Sequence, residues 1–260
     1  MKYYSVGYGT FPIIIVSSHG GTESISKKRM LPGSITINDL HTKEIAENIS
    51  NIIYNETGLK PYFIGNNIHR RYLDLNRRES VGAETEITKQ NWNNFHNELT
   101  SMVIQCQNKF GHCLLCDIHG NTTTNMIQFG YGLSLQDIDN RTFEQSSFKY
   151  LSKFYLQKEL IIGDRSISQF IPENITSLPS MRYNTIPKIR SKILDGKYFN
   201  GGFITRHYSS THNIDAIQIE ISRDIRNKDN IYNVATITAR SIIRFYFINY
   251  YPILSKNVQV

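Results

Sequence analysis

Along the first half of the chain, short apolar runs alternate with stretches whose apolar residues recur at helical spacing. Residues 11–16 form an unbroken apolar run of the length and composition a buried strand needs. Residues 22–37 read as an irregular excursion that turns at Pro32-Gly33. A helix opens at Asn38 or Asp39, either of which can cap it, and Glu44 and Glu47 suit its early turns. Its apolar stripe is Ile45, Ile49, Ile52 and Ile53, and Gly58 stops it. Tyr62-Phe63-Ile64 is a second strand. Residues 88–108 form a second amphipathic helix with Trp92, Phe95, Leu99, Met102 and Val103 on its apolar face, and residues 113–118 form a third strand. This alternation predicts an α/β domain.

The second half is less regular. Pro172, Pro179 and Pro187 punctuate residues 133–200, which predicts long loops with short elements, among them a helical stretch over 148–160. Loops of that length in a compact domain are often functional. Gly201-Gly202 reads as a turn into an edge strand that carries Arg206. Residues 216–221 alternate Ile217, Ile219 and Ile221 with Gln218 and Glu220, the pattern of a half-buried strand. Residues 232–250 read as a final buried helix. With no repeat, low-complexity segment or linker in view, residues 1–260 read as one domain.

The densest chemistry lies in residues 112–121, His-Cys-Leu-Leu-Cys-Asp-Ile-His-Gly-Asn. An apolar run ends there in Asp117 and His119, which are two apart and leave the same side of an extended chain. A buried strand that delivers a carboxylate and an imidazole at its end is a common way to build a site in an α/β protein. His19 ends the first strand in the same way, before Gly20-Gly21, whose freedom at unusual dihedrals suits a tight loop. Glu220 stands late on its own strand. Cys113-x-x-Cys116 has metal spacing, but no second pair exists to close a zinc site, so both read as small core residues.

Composition narrows the setting. The chain has 260 residues, a formal net charge of +7 and three cysteines. Its Lys and Arg are scattered: Lys27-Lys28-Arg29 and His69-Arg70-Arg71 are short runs, which argues against nucleic acid and for a basic solvated surface that favours anionic small substrates. The apolar run at 11–16 is too short for a signal-peptide core or a membrane span. An odd cysteine count with no disulfide framework suits a reducing compartment, so the expectation is a cytoplasmic protein without a membrane partner.

Two imidazoles and one carboxylate on zinc leave a fourth position open for water, the catalytic pattern. His19 and His119 supply the imidazoles. Three residues compete for the remaining place: Glu23, nearest to His19; Asp39, at the start of the helix beside the first strand; and His41, which reads as a surface residue. Asp74-Leu75-Asn76-Arg77 sets a guanidinium fork beside an amide, suited to a substrate carboxylate, with an internal Arg–Asp salt bridge as the alternative for a neighbouring arginine. Arg206 is a second candidate anion clamp.

Taken in order, Ser18-His19-Gly20-Gly21, Asp39, Arg70 with Asp74-Leu75-Asn76-Arg77, Asp117-Ile118-His119-Gly120, Gly201-Gly202 with Arg206, and Gln218-Ile219-Glu220 resemble the N-formylglutamate amidohydrolase family. That family is distantly related to the zinc carboxypeptidases and to aspartoacylase. The resemblance implies a zinc-carboxypeptidase-like (phosphorylase/hydrolase-like) fold, a mixed β-sheet flanked by helices with one zinc at the strand ends. It implies His19 and His119 as ligands and favours Asp39 over Glu23 as the third. It further implies Glu220 as the base, Asp117 as a supporting residue, and Arg70, Asn76, Arg77 and Arg206 around an anionic N-acyl amino acid or peptide. Gly120 stands where the relatives usually carry Ser or Asn.

Overall fold

Seven strands form one sheet: β1 (Tyr4–Gly7), β2 (Phe11–Ser17), β3 (Pro61–Asn66), β4 (Leu114–Asn121), β5 (Met126–Gly130), β6 (Thr176–Leu178) and β7 (Asp215–Ser222). The computed structural model describes residues 3–25, 27–184 and 198–256; Pro187 lies outside the described residues. The strand order is β1-β3-β2-β4-β7-β5-β6. The central strands β3, β2, β4 and β7 run parallel, β1 is antiparallel to β3, and β5 is antiparallel to β7. The sheet is mixed, as a zinc-carboxypeptidase-like fold requires.

Helices cover both faces, and the alternation of side chains along each strand divides the core in two. Ile13 and Ile15 of β2, Leu114, Cys116 and Ile118 of β4, and Ile217, Ile219 and Ile221 of β7 pack with helix α1 (Thr42–Thr57) and the C-terminal helix Ile231–Asn249. Ile14 and Val16, Cys113 and Leu115, and Ala216 face the opposite way, towards helix α2 (Glu86–Phe110) and helix α3 (Phe203–His212). The three cysteines are free and buried, as core packing predicts.

The two faces end differently. The first is apolar apart from Ser17 at the end of β2 and Asp215 at the start of β7. On the second, the positions after Val16, Leu115 and Ala216 become polar: Ser18, then Asp117 and His119, then Gln218 and Glu220, all buried. Register places His119 opposite Glu220 and Glu220 opposite Gln128, and Asp117 opposite both Val16 and Gln218. A patch of buried polar groups therefore lies at the C-terminal ends of the parallel strands, where the connections leave β2 in opposite directions and ligands commonly bind.

Several elements differ from their sequence pattern. The strand at 216–221 is not half-buried; all eight residues of β7 are buried because β4 and β5 flank it and α3 covers its polar positions. The segment after Gly202 is a helix rather than an edge strand. Its buried residues Ile204, Thr205, Tyr208 and Ser209 follow helical spacing, and Asn76 Oδ1 accepts the Ile204 N–H at 2.8 Å in its first turn. Residues 148–160 break into a 3-10 turn (Leu151–Lys153) and a short helix (Gln157–Ile161), because the Asp215 carboxylate captures the N–H groups of Tyr150 and Leu151. Gly20 and Gly21 do not adopt positive φ. They serve close approach instead: a Cβ on Gly20 would lie 2.3 Å from Lys43 N, and one on Gly21 2.2 Å from the Asn67 carbonyl carbon. Strands β1, β5 and β6 carry too few alternating positions to stand out in the sequence.

Asp215 generates a testable consequence. Burial pushes its carboxyl up to about 6, with the Tyr250 hydroxyl at 2.7 Å and the two N–H groups drawing it back. The folded chain thus keeps a proton that the unfolded chain loses near pH 4. This contribution to stability is full below pH 4 and declines as pH rises to about 6. Relative to Asp215→Asn, the wild type is expected to lose roughly 2–3 kcal/mol across that window, as read from urea unfolding at pH 4 and pH 7.

Candidate functional site

The loop after β2 brings His19 over the strand ends, and β4 delivers His119 beside it, the two rings meeting edge to face with centroids 4.7 Å apart. Asp39 arrives from the loop before α1. It does not cap that helix: the first turn starts three residues later, with His41 at the N-cap in the left-handed region. That offset frees the Asp39 side chain to turn inward, where its Oδ2 lies 3.2 Å from His19 Nδ1 and 3.1 Å from His119 Nδ1. The two Nδ1 atoms are themselves 3.1 Å apart. Glu23 is exposed, its main chain bridging to Ile68, and His41 faces Glu44 at 3.6 Å.

Each imidazole commits its other nitrogen to a buried carboxylate. His19 Nε2 donates to Asp74 Oδ1 at 2.6 Å, and His119 Nε2 donates to Asp117 Oδ2 at 2.9 Å. With the Nε2 protons so placed, both Nδ1 atoms present bare lone pairs to each other and to Asp39 Oδ2. Neutral rings thus set three acceptors at mutual distances of 3.1–3.2 Å, an arrangement that needs a shared positive charge, either a proton on Nδ1 or a metal ion. Donors about 2.0–2.1 Å from a shared tetrahedral centre would stand about 3.3 Å apart, so the triangle fits a metal ion. His19, Asp39 and His119 form the one such cluster among the described residues.

The surrounding charges point the same way. Burial alone would raise the Asp39 carboxyl, yet the bonds from His119 and His19 hold it well below the usual carboxylate range. Burial would lower His119, but Asp117 and Asp39 raise it well above the ordinary imidazole value. The pocket thus draws positive charge onto its donors. Arg70 does not reach a free anion: it binds Asp74 Oδ2 at 3.0 Å and faces Asp39 Oδ1 at 3.4 Å. This is the internal Arg–Asp salt bridge that the sequence left as an alternative.

Glu220 faces the cluster from β7. Its Oε1 accepts the Gln218 amide at 2.9 Å, while Oε2 is buried without a hydrogen-bond partner among the described residues. Burial raises its carboxyl to about 7, against the pull of His119. Beside the cluster, a cleft of about 680 Å³ is lined by Asn76, Arg77, Arg78, Phe203, Arg206 and His207, with no acidic residue on its wall among the described residues. Asn76 is the junction: its Nδ2 lies 3.1 Å from His119 Nε2 while its side chain also borders the cleft.

Comparison with known proteins gives this geometry a relationship. The sequence matches the model of the N-formylglutamate amidohydrolase family over residues 80–226, more than half of the chain. The chain belongs to the N-formylglutamate amidohydrolase family. The matched span holds Asp117, His119, Arg206 and Glu220, while His19, Asp39 and residues 70–77 precede it. An N-formylglutamate amidohydrolase from Ralstonia eutropha JMP134 shares the fold with a TM-score of 0.56 at 12% identity, covering 96% of this chain and 99% of that one. A gene product from Agrobacterium tumefaciens aligns with a TM-score of 0.54 at 10% identity, covering 94% and 95%. No curated protein matches the chain.

Two arginines of this N-formylglutamate amidohydrolase-family chain are buried against expectation: Arg29, which the sequence places in a solvated basic run, and Arg226, which nothing in the sequence marks. Arg226 is buried and bonds the carbonyls of Ile221, Leu40 and Asn121. It packs against Gly120, where an added Cβ would lie 2.3 Å from Arg226 Nε, so the space a Ser or Asn side chain would fill holds a guanidinium instead. Asp74 was visible in its motif but not as the partner of His19, because residues 55 apart in sequence give no local sign of contact.

The triangle predicts one divalent ion per chain. Asp39→Ala and His119→Ala are expected to weaken binding by more than the ~10–100-fold typical of outer residues, and Glu23→Ala to leave it unchanged. Metal analysis of the purified variants checks this.

Proposed function

We propose that this chain is a zinc-dependent amidohydrolase that cleaves the amide of a small anionic N-acyl amino acid of the N-formylglutamate kind, with Glu220 as the base. The observation that carries the reading is the convergence of three bare lone pairs from His19, Asp39 and His119, each imidazole backed by a carboxylate. A zinc ion held there would polarise the scissile carbonyl and acidify a water. The three free buried cysteines fit a reducing, cytoplasmic setting, and among the described residues no helix is long and apolar enough to cross a membrane.

Glu220 takes the proton from the attacking water and hands it to the leaving amine. Gln218 holds Oε1, which leaves the unpartnered Oε2 to accept. A carboxyl raised to about 7 gives and takes protons with similar ease near neutral pH. Asp117 fixes the ring of His119. Arg77 and Arg206 on the cleft wall hold the substrate carboxylates, bidentate partners for which guanidinium is suited. The Asn76 Oδ1 is occupied by Ile204 N–H, so its Nδ2 is the free donor, placed at the junction of cleft and metal site to meet the substrate amide. Arg70, committed to Asp39 and Asp74, holds those carboxylates rather than the substrate.

One observation favours a second reading. A cleft of about 680 Å³ is roomier than a single acyl amino acid needs, which suits a carboxypeptidase-like action on an acidic peptide or an amino-acid-tagged polymer. A comparison of N-formylglutamate with N-formyl-glutamyl peptides of increasing length separates the two: a kcat/KM that falls with length supports the amino acid, one that rises supports the peptide.

Glu220→Gln is expected to lower kcat by about 10²–10⁴-fold with zinc content unchanged. Unchanged hydrolysis in that variant would overturn the mechanism, and no hydrolysis by zinc-loaded wild type would leave a binding protein on this fold. Because the base form predominates above its pKa, wild-type kcat/KM is expected to rise with pH through about 7. Arg206→Ala is expected to raise KM roughly 10–100-fold with a smaller effect on kcat, measured by amine release under steady-state conditions.

A further inference from the structure

The basic run Lys27-Lys28-Arg29 divides in the folded chain. Lys27 and Lys28 are exposed, but the Arg29 side chain is 1% exposed. Its guanidinium is spread across three separate segments: Nε donates to Arg70 O at 3.2 Å, Nη1 to Val81 O at 3.2 Å, and Nη2 to Ile35 O at 2.5 Å. Nη2 also faces Asp74 Oδ2 at 3.6 Å, and the Arg29 main-chain N–H binds Arg71 O at 2.8 Å. Asp74 is therefore held on one oxygen by two arginines, Arg29 and Arg70, while its other oxygen holds His19 Nε2 and Asn76 N–H.

We propose that Arg29 is a positioning residue for the metal centre: by bonding the main chain of the loops around Asp74 and facing its Oδ2, it fixes the carboxylate that orients His19. Three carbonyls and one carboxylate oxygen around one planar group leave that group a single orientation, and a planar fork of five N–H donors is what can serve them all. A lysine offers a compact ammonium with no such reach. With Arg29 in place, the Asp74 carboxylate meets the imidazole at 2.6 Å, which sets the ring plane and turns the Nδ1 lone pair towards Asp39 and His119. Loss of Arg29 would take a donor from three main-chain carbonyls and one of the two cations from Asp74 Oδ2, so the effect would appear in the geometry of the imidazole that Asp74 orients. The inference rests on the metal-site reading above.

The test titrates metal-free protein with Co²⁺ alone and follows its visible absorption, which reports both affinity and ligand geometry. Arg29→Met is expected to weaken Co²⁺ binding about 10–100-fold and to alter the absorption bands, with Asp74→Asn doing the same. The double variant is expected to be no weaker than the worse single one, because both changes remove one relay. Arg29→Lys is expected to fall between wild type and Arg29→Met, and Lys28→Met to match wild type. Wild-type affinity and spectrum in both Arg29 variants, or losses that add in the double variant, would overturn the proposal. Failure of both Arg29 variants to fold would assign the residue to stability alone and overturn it as well. A wild type that takes up no Co²⁺ would instead sink the metal reading, and this inference with it.

Discussion

Three acceptor atoms that point at one another cannot share a buried pocket without a positive charge between them. His19 Nδ1, His119 Nδ1 and Asp39 Oδ2 do so at 3.1–3.2 Å, and much of the architecture around them keeps them there. The carboxylates of Asp74 and Asp117 fix the tautomer of each ring by accepting a hydrogen bond from its Nε2–H. The sheet supplies the second requirement. Its parity sends alternate residues to a single face, so β4 contributes both His119 and its orienting Asp117 from positions two apart, and register sets Glu220 directly opposite His119. The site is the polar end of a face that is otherwise core.

Buried acids on this scale need counter-charge. Asp39, Asp74, Asp117 and Glu220 lie close together in an apolar setting, against Arg29, Arg70 and Arg226. The arginines are not interchangeable ions. Each binds main-chain carbonyls or carboxylates from different segments, so the charge that offsets the acids also ties the loops that carry them. Arg226 joins the loop of Asp39 to the ends of β4 and β7, and Arg29 joins the loops on either side of Asp74. The positive charge that balances a buried carboxylate here comes through rigid contacts, which is what a preorganised ligand set needs.

How much of this was legible in the sequence depended on distance along the chain. The central strands and the three long helices announced themselves by local periodicity, and the α/β class followed. His19, Asp117, His119 and Glu220 stood out because a charged or imidazole group at the end of an apolar run is a local contrast. The third ligand did not, because choosing Asp39 over Glu23 depends on how the loop before α1 folds back, and no spacing rule encodes that path. The Gly202 segment was misread for a related reason: its helix is short, and Asn76, far away in sequence, satisfies its first turn. Asp74, Arg29 and Arg226 were invisible as partners, since a buried arginine and a surface one share the same letter until the loops are in place.

Asn76 joins the cleft to the cluster of His19, Asp39 and His119, although none of those three residues lines the cleft. Its main-chain N–H binds Asp74 Oδ1, the same oxygen that holds His19. Its Oδ1 fixes the start of α3, the helix that carries Arg206 and His207 on the cleft wall, and its Nδ2 rests against His119. One residue, through its main chain and its side chain, therefore ties the cleft-lining helix to both imidazoles. A shift of α3 on binding an anion would be felt at Asn76 first, and through it at the groups that aim the two Nδ1 lone pairs. On the proposed function, anion binding in the cleft and metal binding at the cluster would be coupled through this connectivity, and by linkage the coupling would act equally in both directions.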